Sequence, residues 1–147
     1  MHVLKPKPMH THPVLTKRLV AYTLTEILVV LVIIGILVLL ALPNLLPMIT
    51  KAKSTEAKVQ LEHLQTLEKN YFYEHSKYTL NLSDLGFIQE KLSTEGDGRA
   101  NYRIEVSSAT NTGFTAKATA VVDFNGNGTY NVWEMNQDKT LKEVTPD

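Results

Sequence analysis

Tyr22-Thr-Leu-Thr-Glu26 runs directly into Ile27-Leu-Val-Val-Leu-Val-Ile-Ile-Gly-Ile-Leu-Val-Leu-Leu-Ala-Leu42. From Ile27 to Leu42 nothing is charged and nearly everything is Ile, Leu or Val. The apolar character continues through Leu45, Leu46 and Met48, giving about the 20 residues that cross a bilayer as helix. One carboxylate, Glu26, stands at the mouth of this segment. Deep in hydrocarbon it would cost on the order of 2.5 kcal/mol or more, and less towards the interface. It therefore calls for a headgroup-level position or a cationic partner.

The flanking charge sets the direction of insertion. Lys5, Lys7, Lys17 and Arg18 precede Tyr22 with no acidic residue among them. The positive-inside bias then keeps the N-terminus in the cytoplasm and sends the C-terminal body across the membrane.

A basic leader ending Lys17-Arg18-Leu-Val-Ala21, then Tyr22-Thr-Leu-Thr-Glu26 and the apolar run, resembles the prepilin signal of type IV pilins, shared with the pseudopilins of type II secretion. The resemblance implies that a prepilin peptidase cuts between Ala21 and Tyr22 and N-methylates Tyr22. Glu26 becomes the fifth residue of the mature chain, the family's glutamate that pairs with a neighbouring subunit's terminal amine. Gly35 and Pro43 match positions where the family keeps Gly and Pro, and join Glu26 as assembly candidates. Two residues depart from the usual pattern: Ala21 stands where the family has Gly, and Tyr22 where it has Phe. Ala is small enough for the cleavage pocket, and Tyr is a near-isostere of Phe. The implied partners are other copies of the chain, the peptidase, an assembly platform protein and an assembly ATPase. The implied location is the bacterial inner membrane, then a periplasmic or extracellular filament.

Elementary electrostatics agrees with the pairing. Cleavage exposes an amine about one helical turn from Glu26, and offset neighbouring helices bring such an amine to the next subunit's acid. Pairing offsets a desolvation that neither charge tolerates alone. An ordinary signal peptide would instead need a small-residue cleavage site after the apolar run, and Leu39-Leu-Ala41-Leu-Pro43 matches one poorly. An uncleaved single-pass anchor carrying a monomeric binding domain is the stronger alternative.

Composition bounds the rest. A chain of 147 residues, 44% hydrophobic, has room for the helix and one small domain. The organisation reads as a leader over 1–21, a transmembrane half-helix over 22–48, an amphipathic half-helix over 49–75 and an exported head over 76–147. With no cysteine, the head must hold by packing, strand pairing or a metal rather than by disulfides. Beyond the leader's four cations, 11 of the 15 Lys and Arg remain against all 15 Asp and Glu. That mildly acidic body argues against nucleic acid as a main partner. His2, His10 and His12 lie among Pro6, Pro8 and Pro13, in a segment that reads as disposable leader rather than a metal site.

Ala57, Leu61, Leu64 and Tyr71 recur at helical spacing and form one apolar stripe. Lys51, Lys53, Lys58, Glu62, Glu68 and Lys69 fall mostly elsewhere and read as a solvated or inter-subunit face. Pro43 and Pro47 each remove a backbone donor, so a kink or local melting is expected between them. Ser83-Asp-Leu-Gly86-Phe reads as a connecting loop with one short helical turn from Ser83, and His63 and His75 as surface residues. Strand alternation follows at Tyr102, Ile104 and Val106, at Phe114 to Val122, at Tyr130 to Met135 and at Leu141 to Val144. The fold class is α+β: a pilin fold, its long N-terminal helix packed on an antiparallel sheet of about four strands. Ala116, Ala118 and Ala120 are small enough to let the helix stripe approach closely.

Asp123-Phe-Asn125-Gly-Asn127-Gly128-Thr-Tyr-Asn-Val-Trp-Glu134 fits the calcium-loop pattern D-x-[DN]-x-[DN]-G, five residues, E. The resemblance to major pseudopilins, which hold calcium in C-terminal loops, adds to that reading. Only Asp123 and Glu134 are charged, however, and Asn-Gly-Asn-Gly also suits a tight hairpin without metal, the preferred reading. No catalytic constellation stands out, and the chain reads as a structural protein rather than an enzyme.

Overall fold

The structure, a computed structural model, describes residues 22–147. Ala21 and the leader's cations and histidines lie outside the described residues. One helix, α1 (Leu24–His75), is followed by β1 (Tyr102–Ala109), β2 (Phe114–Ala120), β3 (Val132–Asn136) and β4 (Leu141–Thr145). The fold is α+β, as expected from the sequence. The chain divides at Leu37/Val38 into two units.

In the first unit, α1 is wrapped in apolar side chains. Ile27 to Leu37 leave 47 to 62% of each large side chain exposed. Val and Ile are indifferent helix formers in water. In hydrocarbon, however, every backbone amide must be bonded within the segment, and a helix achieves that. α1 is long and apolar enough to cross a membrane.

In the second unit, α1 stays helical through Pro43 and Pro47, with no melted segment between them. Each proline deprives one carbonyl, those of Leu39 and Pro43, of its usual donor. Proline's fixed φ is itself helical, so the neighbouring turns keep their form.

The sheet is an antiparallel meander in the order β1-β2-β3-β4. Tyr102, Ile104 and Val106 of β1 and Phe114, Ala116, Ala118 and Ala120 of β2 point into the core, with Met135 of β3. Against them lie Ala57, Leu61 and Leu64 of α1, all without solvent exposure, together with Leu85 and Phe87. Each buried leucine contributes about 1.5–3 kcal/mol relative to exposure. The strand registers align Glu105, Lys117, Glu134 and Lys142 in one row across the outer face, alternating in charge from β1 to β4.

Polar ties fix the helix to the start of β1 and join the strands to one another. The Glu56 carboxylate accepts from the Asn101 backbone at 2.8 Å, the Asn101 side chain at 2.7 Å and the Tyr102 backbone at 3.3 Å. Fully buried Asn131 accepts from the Tyr102 hydroxyl and the Trp133 indole, each at 2.7 Å, and donates to Glu143 and the Thr145 carbonyl.

Other expectations need correction: β2 ends at Ala120, short of Val122. Glu68 does not belong to a solvated face: it is fully buried, accepting from the Thr79 backbone N–H at 3.2 Å. It lies one turn beyond Leu64, so it continues the apolar stripe in position though not in chemistry. Residues 82–86 form hydrogen-bonded turns rather than a helical turn, closed by Gly86 N–H to the Ser83 carbonyl and Phe87 N–H to the Leu82 carbonyl. Tyr130 precedes β3 instead of opening it.

Candidate assembly site and tip loop

Helix α1 begins with a reciprocal cap. The Thr23 hydroxyl accepts from the Glu26 backbone N–H at 3.2 Å, and Glu26 Oε2 accepts from the Thr23 backbone N–H and hydroxyl, each at 2.8 Å. This is a capping box, which satisfies amides left without partners in the first turn. A carboxylate there also faces the positive end of the helix dipole. The signal was legible in Thr23-Leu-Thr-Glu26, but a reading centred on an intermolecular partner for Glu26 passes over it. Both bonds that the Glu26 carboxylate accepts fall on Oε2.

Tyr22 is exposed beside the cap. At Gly35 an added Cβ would meet nothing within 4 Å, so a single chain gives no reason for glycine there. Pro43 lies within continuous helix.

The loop at the tip of the β2–β3 hairpin, called the tip loop for its place in that hairpin alone, is organised by Asp123. Its Oδ2 accepts from Gly128 N–H at 2.7 Å, and its Oδ1 from Gly126 N–H at 2.7 Å and Asn127 N–H at 3.3 Å. The Gly128 amide foremost, aided by the others, holds the Asp123 carboxyl below the usual carboxylate range. Asn125 Oδ1 accepts from Asn127 N–H at 2.9 Å, and Asn127 Oδ1 from Thr129 N–H at 2.6 Å and the Thr129 hydroxyl. Gly126 and Gly128 take φ of 77° and 86°, left-handed values that suit glycine.

Asp123, Asn125 and Asn127 are thus gathered in the loop, but Glu134 is not with them. It belongs to β3, ion-paired with Lys117 of β2 at 3.2 Å on the sheet's outer face. Calcium takes about 6–8 oxygen ligands. As arranged, this set does not fit: its one loop carboxylate is occupied by backbone amides and its second acid is engaged elsewhere. Among the described residues no group of three or more His, Asp or Glu side chains is poised to hold a metal.

Known proteins share this build. The family described as "Type IV minor pilin ComP, DNA uptake sequence receptor" matches residues 43–132. The "Type IV major pilin protein PilA" of Myxococcus xanthus (strain DK1622) is 33% identical over 87 residues, which cover 59% of this chain and 37% of that protein. The chain belongs to the type IV pilin family.

Proposed function

We propose that the chain is a structural subunit of a type IV pilus that polymerises through the apolar half of α1. The observation carrying this reading is the exposure of Ile27 to Leu37: among the described residues every large apolar side chain of this stretch stays about half exposed and none is buried. Such a surface needs lipid first and other copies of itself later. In this reading the leader holds the N-terminus in the cytoplasm, a prepilin peptidase cuts between Ala21 and Tyr22, and Tyr22 is methylated. Glu26 then meets the Tyr22 amine of a neighbouring subunit, giving up part of its bonding to Thr23. A platform protein and an ATPase drive extraction from the inner membrane into the filament. Between pilus and secretion pseudopilus we take the pilus, because the matched family and the matched relative are both described as type IV pilins.

DNA, which the description of the matched family names, is not part of this reading: the body beyond the leader carries 11 Lys and Arg against 15 Asp and Glu. Retention of duplex DNA that weakens steeply with salt would bring it back. Calcium is likewise left out.

The test is mass spectrometry of the membrane-extracted protein. A chain beginning at N-methylated Tyr22 supports the reading. An intact chain retaining Met1 to Ala21 would identify an uncleaved anchored domain.

A further inference from the structure

The sequence contains two Asn-Gly steps, Asn125-Gly126 and Asn127-Gly128, both in the tip loop. Asn-Gly is chemically fragile because glycine places no side chain between its own nitrogen and the preceding carboxamide. The glycine nitrogen, once it loses its proton, attacks Cγ of that asparagine. A C–N bond closes a cyclic imide, the carboxamide nitrogen leaves as ammonia with a proton from solvent, and water reopens the ring to aspartate or isoaspartate. Water is consumed and ammonia released, and no oxidant or reductant takes part.

The loop prepares one half of this reaction and opposes the other. Each asparagine Oδ1 accepts a backbone N–H from two residues ahead, Asn127 for Asn125 and Thr129 for Asn127. Such donors stabilise the charge that develops on the carbonyl oxygen during attack. The two attacking nitrogens, Gly126 N and Gly128 N, both donate at 2.7 Å to one carboxylate, that of Asp123. A donor engaged with a carboxylate is harder to deprotonate, and it must leave that carboxylate before it can attack.

We propose that Asn125 and Asn127 are latent deamidation sites and that Asp123 restrains both by holding the nitrogens that would attack them. Asp123, which accepts three N–H groups of its own loop, is then a positioning residue with a chemical duty. Each lapse adds one negative charge to the β2–β3 loop. The inference stands on the loop alone and does not depend on the filament reading.

The experiment incubates the purified full chain in detergent, in mildly alkaline buffer, and follows each site by tandem mass spectrometry with isoelectric focusing. Wild type is compared with Asp123→Asn, Asp123→Ala and urea-unfolded wild type. Asp123→Ala should deamidate at both sites about ten- to hundredfold faster than folded wild type, the factor a charge-assisted hydrogen bond is worth. Asp123→Asn, which keeps an acceptor but no charge, should fall between them, and unfolded wild type should match the fast limit. Equal rates in folded wild type and Asp123→Asn would overturn the electrostatic hold. If the variants do not fold, the wild-type comparison still decides: equal rates folded and unfolded would overturn the proposal.

Discussion

The two stretches of α1 are built on opposite rules. Over residues 27–37 the helix exposes its large apolar side chains, whereas over residues 50–68 it buries Thr50, Ser54, Gln65 and Glu68 while leaving Val59 59% exposed. The second stretch has its partner, the sheet, within the same chain. Packing of α1 against the rest of the head fixes which positions are covered, even where the residue there is polar, as Glu68 is beneath the Thr79 segment. The first stretch has no partner among the described residues and is apolar on every side, which suits lipid or several neighbours rather than one. A helix half-covered by its own domain is selected position by position, and a helix covered from outside is selected all round.

The sharpest way to break this contrast is to remove packing where the chain supplies it. Leu61→Ala should destabilise the detergent-solubilised protein by about 2–5 kcal/mol, since it leaves a cavity between α1 and the sheet. Denaturant titration reads this directly, and a loss below about 1 kcal/mol would show that the helix is loosely held.

Glu68 gives a slightly smaller effect with a pH signature. Burial pushes its carboxyl from 4.5 up to about 7, opposed by the Thr79 N–H bond. Because the folded value lies above the unfolded one, the associated stability is fully present below about pH 4.5 and is lost as pH rises through about 7. The total is roughly 3 kcal/mol. Glu68→Gln keeps an acceptor for Thr79 and should flatten this slope, making the variant more stable than wild type in mildly alkaline buffer. Parallel pH profiles for the two proteins would refute the burial argument.

At the small end, Glu134→Gln removes one member of the alternating row across the outer face. Exposed pairs are worth about 0.2–1 kcal/mol, so the melt should shift little, and less again in high salt. Wild-type melts with calcium and with chelator should superimpose; a shift that Glu134→Gln abolishes would show that the loop and β3 rearrange around the ion.

What the sequence disclosed depended on which pattern each element obeys. Period-two alternation at Tyr102, Ile104 and Val106, and at Ala116, Ala118 and Ala120, located β1 and β2 because one face of each strand is core. β3 began later than its apolar pattern suggested, since Tyr130 is attractive as a strand residue but precedes the pairing with β2. Glu68 escaped because a hydrophobic-stripe count ignores polar residues, although its spacing from Ala57, Leu61 and Leu64 placed it on the stripe. At Pro43 and Pro47 the expectation of melting went too far: loss of a donor is visible in sequence, but tolerance of that loss is a property of the folded helix. The cap at Thr23 and Glu26 was fully legible, and the competing intermolecular role obscured it. The tip-loop motif had the right spacing for a cation, yet spacing along the chain does not decide that Glu134 is drawn into a sheet-face ion pair.

The central claim is that the apolar stretch of α1 is covered by copies of the same chain, with Glu26 setting their register. The most direct measurement is to count filaments by electron microscopy in cells producing Glu26→Ala, while mass spectrometry of the same membranes confirms cleavage before Tyr22. The account predicts a processed subunit that accumulates in the membrane with few or no filaments. Filaments at the wild-type level from that processed variant would contradict it.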